Sequence, residues 1–435
     1  MPRPLTPALT DTLRHLTEGS GKPQVLSSAL TGEPLGTADT CRATDILDAL
    51  DRAHRQHHRW AATPYSARRS VLRGFLRLVH AHRDILTPLA QHACALSTRD
   101  AVADLGSAPR PRTATAWSGG PPHPASLRHR SSPAPFAPVL SSSTDDARPF
   151  TSLLRPVLPA LAAGSCVLTQ VTEHTAVITA YVMALARRAG LPAAAWQPLL
   201  GEHRATYAML TEHADAHLLG CCPERYGPAA PRSTATAPAL MAVRHDTRLP
   251  SALRAALHSC FGTAGRLCTS TPLVLVHERH HDLFAKAFTN AVARVPSRSP
   301  LASEAVLSSL LDEGQAQALR SYIRAAHSSG ATVLHDGGHR PDLAPGLHGP
   351  VVLSHPRTWT LDPETLPPGP LAVIVPFSSW AEVLHLARRT GRHLNVHTRT
   401  PVAQLLPQFA TLPADDIRLN PAHRRPTPGA LRSRF

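Results

Sequence analysis

The stretch "PALAAGSCVLTQVTEHTAVITAYVMALARRAGLP", residues 159–192, holds a strand-to-helix transition. "CVLTQ" (166–170) is an apolar run of strand length. Thr172 stands where a helix N-cap belongs, and a helix is predicted from Glu173 to Arg188. Gly190 is its stop, and Pro192 lies just beyond. A buried strand feeding a capped helix is half of a βαβ unit, and such units build parallel sheets.

The pattern repeats outward. "WQPLL" (196–200) is the next predicted strand, followed by a helix to about Glu212, then "AHLL" (216–219) and "LMAV" (240–243). Farther on come "LVLV" (273–276), helices over 279–293 and 312–329, "ATVLH", "PVVLS", "LAVIVPF", a helix over 380–390 and "LNVHT". Upstream, Ile46, Leu47, Leu50, Ala53 and Trp60 recur at helical spacing within 41–62, and a second helical stretch covers 65–95. Residues 105–148 are rich in Pro, Ser, Gly and Arg without a period, which predicts a long irregular insert. The expectation is two α/β domains in series, dividing near 245.

Bulk numbers set limits on function. At 435 residues, 43% of them hydrophobic, the chain can build two or three cores. Its seven cysteines are scattered and odd in number, with no CxxC pair, so neither a disulfide framework nor a zinc knuckle is expected. The N-terminus lacks an apolar signal-peptide core, and "TAVITAYVMALA" is too short to span a bilayer. A soluble cytoplasmic protein with no membrane partner is expected. The net charge of +15 invites a nucleic-acid reading. However, Lys22 and Lys286 are the only lysines, and the many arginines form no run interleaved with aromatics. The charge is a compositional bias toward arginine, and no nucleic-acid partner is expected.

"CFGTAGRLCTST" (260–271) raises the question of chemistry. Cys268 is either a nucleophile or one more small buried residue, and the cysteine alone does not decide. Arg266, two residues before it, favours a thiolate. "HERHH" (277–281) matches H-E-x-x-H, which binds zinc when both histidines share a helix face. Here His277 and Glu278 end the strand "LVLVHE", so the histidines fall on different elements and no metal is expected. There is no G-x-G-x-x-G and no P-loop.

Taken in order, these segments resemble the aldehyde dehydrogenase family. Residues 159–192 resemble its PALAAGN-x-V-V-L-K-P-x-x-x-T stretch, helix and "AGLP". "CFGTAGRLCTSTPLVLVHE" resembles its nucleophile segment, in which a cysteine follows Ala-Gly-Gln-x. "GPLAVIVPF" (369–377), "LNVHTR" (394–399) and "DIRLN" (416–420) keep the order of its later landmarks. "LTGEPLGTA" and "WAATPYSARRSVLRGF" match its N-terminal region. The nearest flavour is succinate-semialdehyde dehydrogenase. The resemblance implies a Rossmann-like cofactor-binding domain (24–245, with the 105–148 insert) after an N-terminal tail (1–23). An α/β catalytic domain (246–412) and a shortened C-terminal remnant (413–435) follow. It implies NAD(P)-dependent oxidation of a small-molecule aldehyde, like succinate semialdehyde, to a carboxylic acid through a cysteine thioester. Cys268 takes the catalytic position, and Gln170, Thr172 and Glu173 take cofactor-binding positions for NAD or NADP.

Several residues depart from the family pattern. The Asn that helps hold the oxyanion falls on Ala147, and the general-base Glu falls on or near Thr234, with Glu224 the nearest carboxylate upstream. Gln170 replaces the Lys that reaches the adenosine ribose, whereas Glu173 keeps an acidic position. "CCPERY" replaces the Gly-Ser-Thr-x-x-Gly turn, and Leu366 and Pro368 replace the Glu and Phe of the nicotinamide-ribose loop. "PAHRRPTPGALRSRF" stands where the family has its oligomerisation strand, so a homo-oligomer is not expected. These departures imply weak cofactor affinity. They also set up the alternative of a degenerate homologue without catalytic activity, acting at most as a binding or scaffold protein.

Overall fold

In the computed structural model the strand expected over 166–170 runs Cys166–Val171, and the helix behind it runs Glu173–Arg188. The structure describes residues 19–109, 127–129, 137–201, 203–218, 239–267, 269–356, 366–390, 393–409, 412 and 416–421. The chain divides into two compact units, Met1–Ala230 and Pro231–Phe435.

The first unit opens with an antiparallel pair, β1 (Pro23–Ser27) and β2 (Pro34–Asp39). Four helices follow: α1 (Ala43–Ala62), α2 (Tyr65–Ala81), α3 (Arg83–Cys94) and α4 (Thr98–Ser107). The sheet contains β3 (Leu127–His129), β4 (Val139–Ser143), β5 (Cys166–Val171), β6 (Trp196–Leu200) and β7 (Ala216–Leu218), in the order β3-β7-β4-β5-β6. All neighbours are parallel except β3 with β7. Helices α5 (Pro149–Ala163), α6 (Glu173–Arg188) and α7 (His203–His213) make the crossovers. The chain steps from β4 through β5 to β6 and then returns to place β7 on the far side of β4. That reversal makes the carboxyl ends of β4 and β7 a topological switch point, where sheets of this kind hold ligands.

Strand β4 corrects the expectation that 105–148 is irregular throughout. All five of its residues are buried in the middle of the sheet. Three of them are serines, so no apolar period marks the strand. Ser142 Oγ hides its polarity by bonding Thr169 Oγ1 on β5 at 2.8 Å.

The second unit carries a seven-stranded sheet of β8 (Leu240–Val243), β9 (Leu273–His277), β10 (Thr332–Asp336), β11 (Val351–Ser354), β12 (Leu371–Phe377), β13 (His393–His397) and β14 (Asp416–Leu419). Its order is β10-β11-β12-β9-β8-β13-β14, with only β10 antiparallel to its neighbour. β8 pairs with β9 and β13, so the second unit begins before residue 240 rather than near 245. Residues alternate between faces: Leu240, Ala242, Leu273 and Leu275 pack in one core, Met241, Val243, Val274 and Val276 in the other. Helices α8 (Leu249–Phe261) and α9 (Glu278–Val292) cover the second of these with Phe261, Phe284 and Phe288. Helices α10 (Glu313–Ser328), α11 (Trp380–Thr390) and α12 (Val402–Phe409) cover the other with Leu319, Val383 and Leu405. Burying each large side chain contributes about 1.5–3 kcal/mol.

Candidate active site

In the first unit, Gln170, Thr172 and Glu173 lie together where β5 ends and α6 begins. They present very different surfaces. Gln170 is a fully buried strand residue whose carbonyl accepts from Thr144 N at 3.1 Å. Thr172 is the N-cap of α6: its Oγ1 accepts from Thr175 N at 3.2 Å, and its own N–H donates to Thr175 Oγ1 at 2.9 Å. Thr175 Oγ1 also bonds Thr144 Oγ1 at 2.6 Å, tying the cap to the end of β4. Glu173 alone is exposed, and its carboxylate accepts from Gln24 Nε2 at 2.7 Å and faces His174 Nε2 at 3.5 Å. A helix N-terminus favours negative charge, which suits a carboxylate there.

In the second unit, α8 runs into an unusual turn. Thr263 has φ 51° and ψ 41°, Ala264 has φ 55° and ψ 30°, and Gly265 has φ 67°. Three consecutive left-handed residues, two of them not glycine, cost about 1–2 kcal/mol for each L-residue. Gly265 is obligatory on a second count: a Cβ there would lie 1.9 Å from the Gly369 carbonyl oxygen. Arg266 follows, 2% exposed, donating from its backbone N–H to Thr263 O at 3.1 Å and from Nε to the same oxygen at 3.4 Å. Cys268 lies outside the described residues. Beyond it, Thr271 N donates to Ser259 O at 3.2 Å, and the two hydroxyls meet at 2.6 Å. Ser270 is buried, and its hydroxyl has no hydrogen-bond partner among the described residues. The described residues before and after 268 are therefore anchored.

Cys260 is a core residue. It is fully buried, donates from Sγ to Thr271 O at 3.1 Å, and has its thiol pushed up by burial to about 12. Of the motif "HERHH", His277 caps α9 by accepting from Arg279 N, and His280 bonds the His245 carbonyl at 2.7 Å. His281 meets Asp282 at 2.9 Å. Among the described residues no group of three potential ligands could hold a metal. Ala147 is buried, and its N–H donates to Asp145 Oδ1 at 2.8 Å. Leu366 is buried and Pro368 exposed. Glu224, Thr234 and "CCPERY" lie outside the described residues. No described helix is long and apolar enough to cross a membrane.

Two carboxylates were not legible as structural centres. Asp246, at the end of β8, accepts from Thr398 Oγ1, Arg399 N, Thr400 N and Thr400 Oγ1 at 2.8–3.0 Å. Partial burial alone would push it up, but the bonds from Thr400 and Thr398 outweigh that and hold it below the usual carboxylate range. Asn420, at φ 43°, completes the joint by accepting from Thr398 N at 3.0 Å and donating to Thr398 O at 2.7 Å. The segments "LNVHTR" and "DIRLN" thus meet side by side. Asp104, on α4, receives Phe150 N at 2.8 Å and Thr151 N at 3.3 Å, so it caps α5 from another helix. Burial pushes it up to about 6 despite those donors. A long-range cap leaves no local signal in sequence.

A family model described as "Aldehyde dehydrogenase family" matches residues 16–117, 147–221 and 237–400. The chain is 26% identical over 407 residues to "Putative succinate-semialdehyde dehydrogenase [NADP(+)] 2" of Mycobacterium ulcerans, covering 86% of this chain and 75% of the relative. Its fold is similar to an NAD+ complex of aldehyde dehydrogenase from Bacillus cereus, at TM-score 0.78 and 18% identity, over 97% and 92% of the two chains. It is also similar to succinate-semialdehyde dehydrogenase from Burkholderia pseudomallei, at TM-score 0.76 and 21% identity, over the same shares.

Proposed function

The chain belongs to the aldehyde dehydrogenase family of enzymes, and from that premise we propose that it oxidises an aldehyde, of the succinate-semialdehyde kind, through a thioester on Cys268. The observation that carries the reading is the meeting of Gly265 with the Gly369 carbonyl. Two family landmarks about a hundred residues apart come together there, at the amino ends of the adjacent strands β9 and β12.

The first unit fits a dinucleotide in part. Its parallel sheet has a switch point, and the exposed Glu173 carboxylate can accept ribose hydroxyls once Gln24 gives way. The buried Gln170 offers no cation for a 2′-phosphate, so NAD or NADP would be held weakly and with slight preference. When bound, a nicotinamide cofactor supplies the hydride acceptor.

Within the chain, the Cys268 thiolate adds to the aldehyde carbon, the carbonyl becomes an oxyanion, and backbone N–H groups share that charge. Loss of hydride from the carbon restores the carbonyl as a thioester. Water then cleaves the thioester, releasing the acid and the free thiol. That last step needs a base, and Thr234 cannot act as one at neutral pH. A single burst of NAD(P)H followed by a stalled thioacyl-enzyme is therefore expected. We place the protein in the cytoplasm.

A second reading, a homologue without turnover, is favoured by Ala147. It sits where the family's oxyanion-holding Asn would fall, and a methyl group donates no hydrogen bond. Stopped-flow absorbance with intact-protein mass spectrometry separates the two: a burst with an acyl adduct supports the first, and no burst supports the second. Steady turnover at an ordinary dehydrogenase rate would defeat both and direct attention to Glu224 as base.

A further inference from the structure

We propose that Gln24 sets the balance between NAD and NADP by occupying the carboxylate that the cofactor's adenosine ribose would use. The inference rests on the reading of Glu173 as a ribose-binding residue and adds what competes for it. In parallel sheets that hold dinucleotides, an acidic residue one crossover beyond the first strand accepts the ribose 2′-hydroxyl of NAD. The same charge opposes the 2′-phosphate of NADP. Glu173 has that place: it follows β5, which α5 joins to β4 in parallel.

In this chain the carboxylate is already engaged. Gln24 Nε2, from β1, donates to Glu173 Oε2 at 2.7 Å, and the other carboxylate oxygen faces His174 Nε2 at 3.5 Å. The hairpin is what brings the amide there. Along β1 side chains alternate between faces, and Leu26, two residues after Gln24, is buried in the first unit's core. Gln24 shares that inward face, whereas Val25 between them is 61% exposed. Pairing of Gln24 with Ala38 on β2 fixes the register, so the amide is presented to the start of α6. A ribose diol donates one hydroxyl to each carboxylate oxygen, and the amide stands where one of them would donate. NADP gains nothing by displacing it, because its 2′-oxygen is esterified and has no proton to donate. The amide also offsets part of the negative charge that a 2′-phosphate would meet.

The test titrates the full chain with NAD and, separately, with NADP, read by ligand-observed NMR, which measures binding whether or not the chain turns over. Gln24→Met removes the donor and keeps the length of the side chain, and Gln24→Ala removes both. Gln24 is only half-buried, so both variants should fold like the parent. Each is expected to tighten NAD about threefold, the scale of an exposed charge-assisted bond, and to leave NADP unchanged or weaker. In a Glu173→Gln background the same substitutions should have no effect on either cofactor. Equal tightening of both cofactors would overturn the proposal, as would unchanged NAD affinity or a gain that survives Glu173→Gln. A gain for Gln24→Ala alone would overturn it too, because bulk rather than the amide would then be the obstacle. If Glu173→Gln by itself leaves NAD affinity at the parent's value, the ribose reading of Glu173 falls and takes this inference with it.

Discussion

The two turns that carry the proposed chemistry are built on opposite terms. The turn from β5 into α6 is relaxed: Thr172 is extended at φ −87° and bonds Thr175 within one helical turn, and Thr175 in turn bonds Thr144 just past the end of β4. The turn from α8 into β9 is strained at Thr263 and Ala264, and the glycine that follows them lies against Gly369, about a hundred residues away. A turn that only starts a helix can rely on local hydrogen bonds. A turn that holds residues other than glycine in left-handed backbone needs a distant contact to keep it from relaxing.

The contrast breaks most sharply at Gly265. Gly265→Ala adds a methyl group at 1.9 Å from a backbone oxygen, in a conformation L-residues rarely adopt. A loss of more than about 4 kcal/mol is expected, the range of gross strain. Urea denaturation measures it. A loss below about 1 kcal/mol would mean the turn relaxes freely and is not locked.

The first unit's own tension is electrostatic and sits at Asp104. Its folded value, about 6, lies above the ordinary 3.8. Between those values the folded chain holds a proton that the unfolded chain has released. The stability this gives is complete below pH 3.8 and lost as pH rises through about 6. The span corresponds to roughly 3 kcal/mol. Asp104→Asn should flatten the thermal midpoint between pH 4 and 6.5, relative to its slope in the parent. An identical slope would place the tension elsewhere.

The relaxed turn should be cheap to damage. Thr172→Ala removes the N-cap of α6 at a cost of about 1 kcal/mol. It should leave iodoacetamide labelling of Cys268 untouched. A cost as large as that of Gly265→Ala would erase the distinction between the turns.

The same difference explains what could be read from sequence. Thr172, Gly190 and Pro192 punctuate α6 locally, so its limits and its cap followed from residue types alone. The order of landmarks likewise pointed to the family and to its α/β fold. Strand β4 escaped because serine-rich strands look like loops until Thr169 and its neighbours hide the hydroxyls. The boundary near 245 was misplaced because "LMAV" is an apolar strand that would suit either sheet, and only its pairing with β9 and β13 assigns it. The left-handed turn was illegible for a third reason. Thr263 and Ala264 have no preference for that conformation, and the close approach of Gly265 to the Gly369 carbonyl is a contact about a hundred residues apart that no local pattern announces.

Ser270 gives the smallest and most discriminating measurement in the strained turn. Its hydroxyl is buried without a partner among the described residues, and a hydroxyl left in that state costs about 1–3 kcal/mol. Removing it costs little packing, because only one oxygen atom is lost. Ser270→Ala should therefore raise stability slightly, by about 0.5–1 kcal/mol, as read from the denaturation midpoint. A fall would mean that the hydroxyl has a partner outside the described residues. Cys268, two positions away, is the first to examine, since a hydroxyl donating to its sulfur would favour the thiolate. In that case Ser270→Ala would slow Cys268 labelling along with the loss of stability.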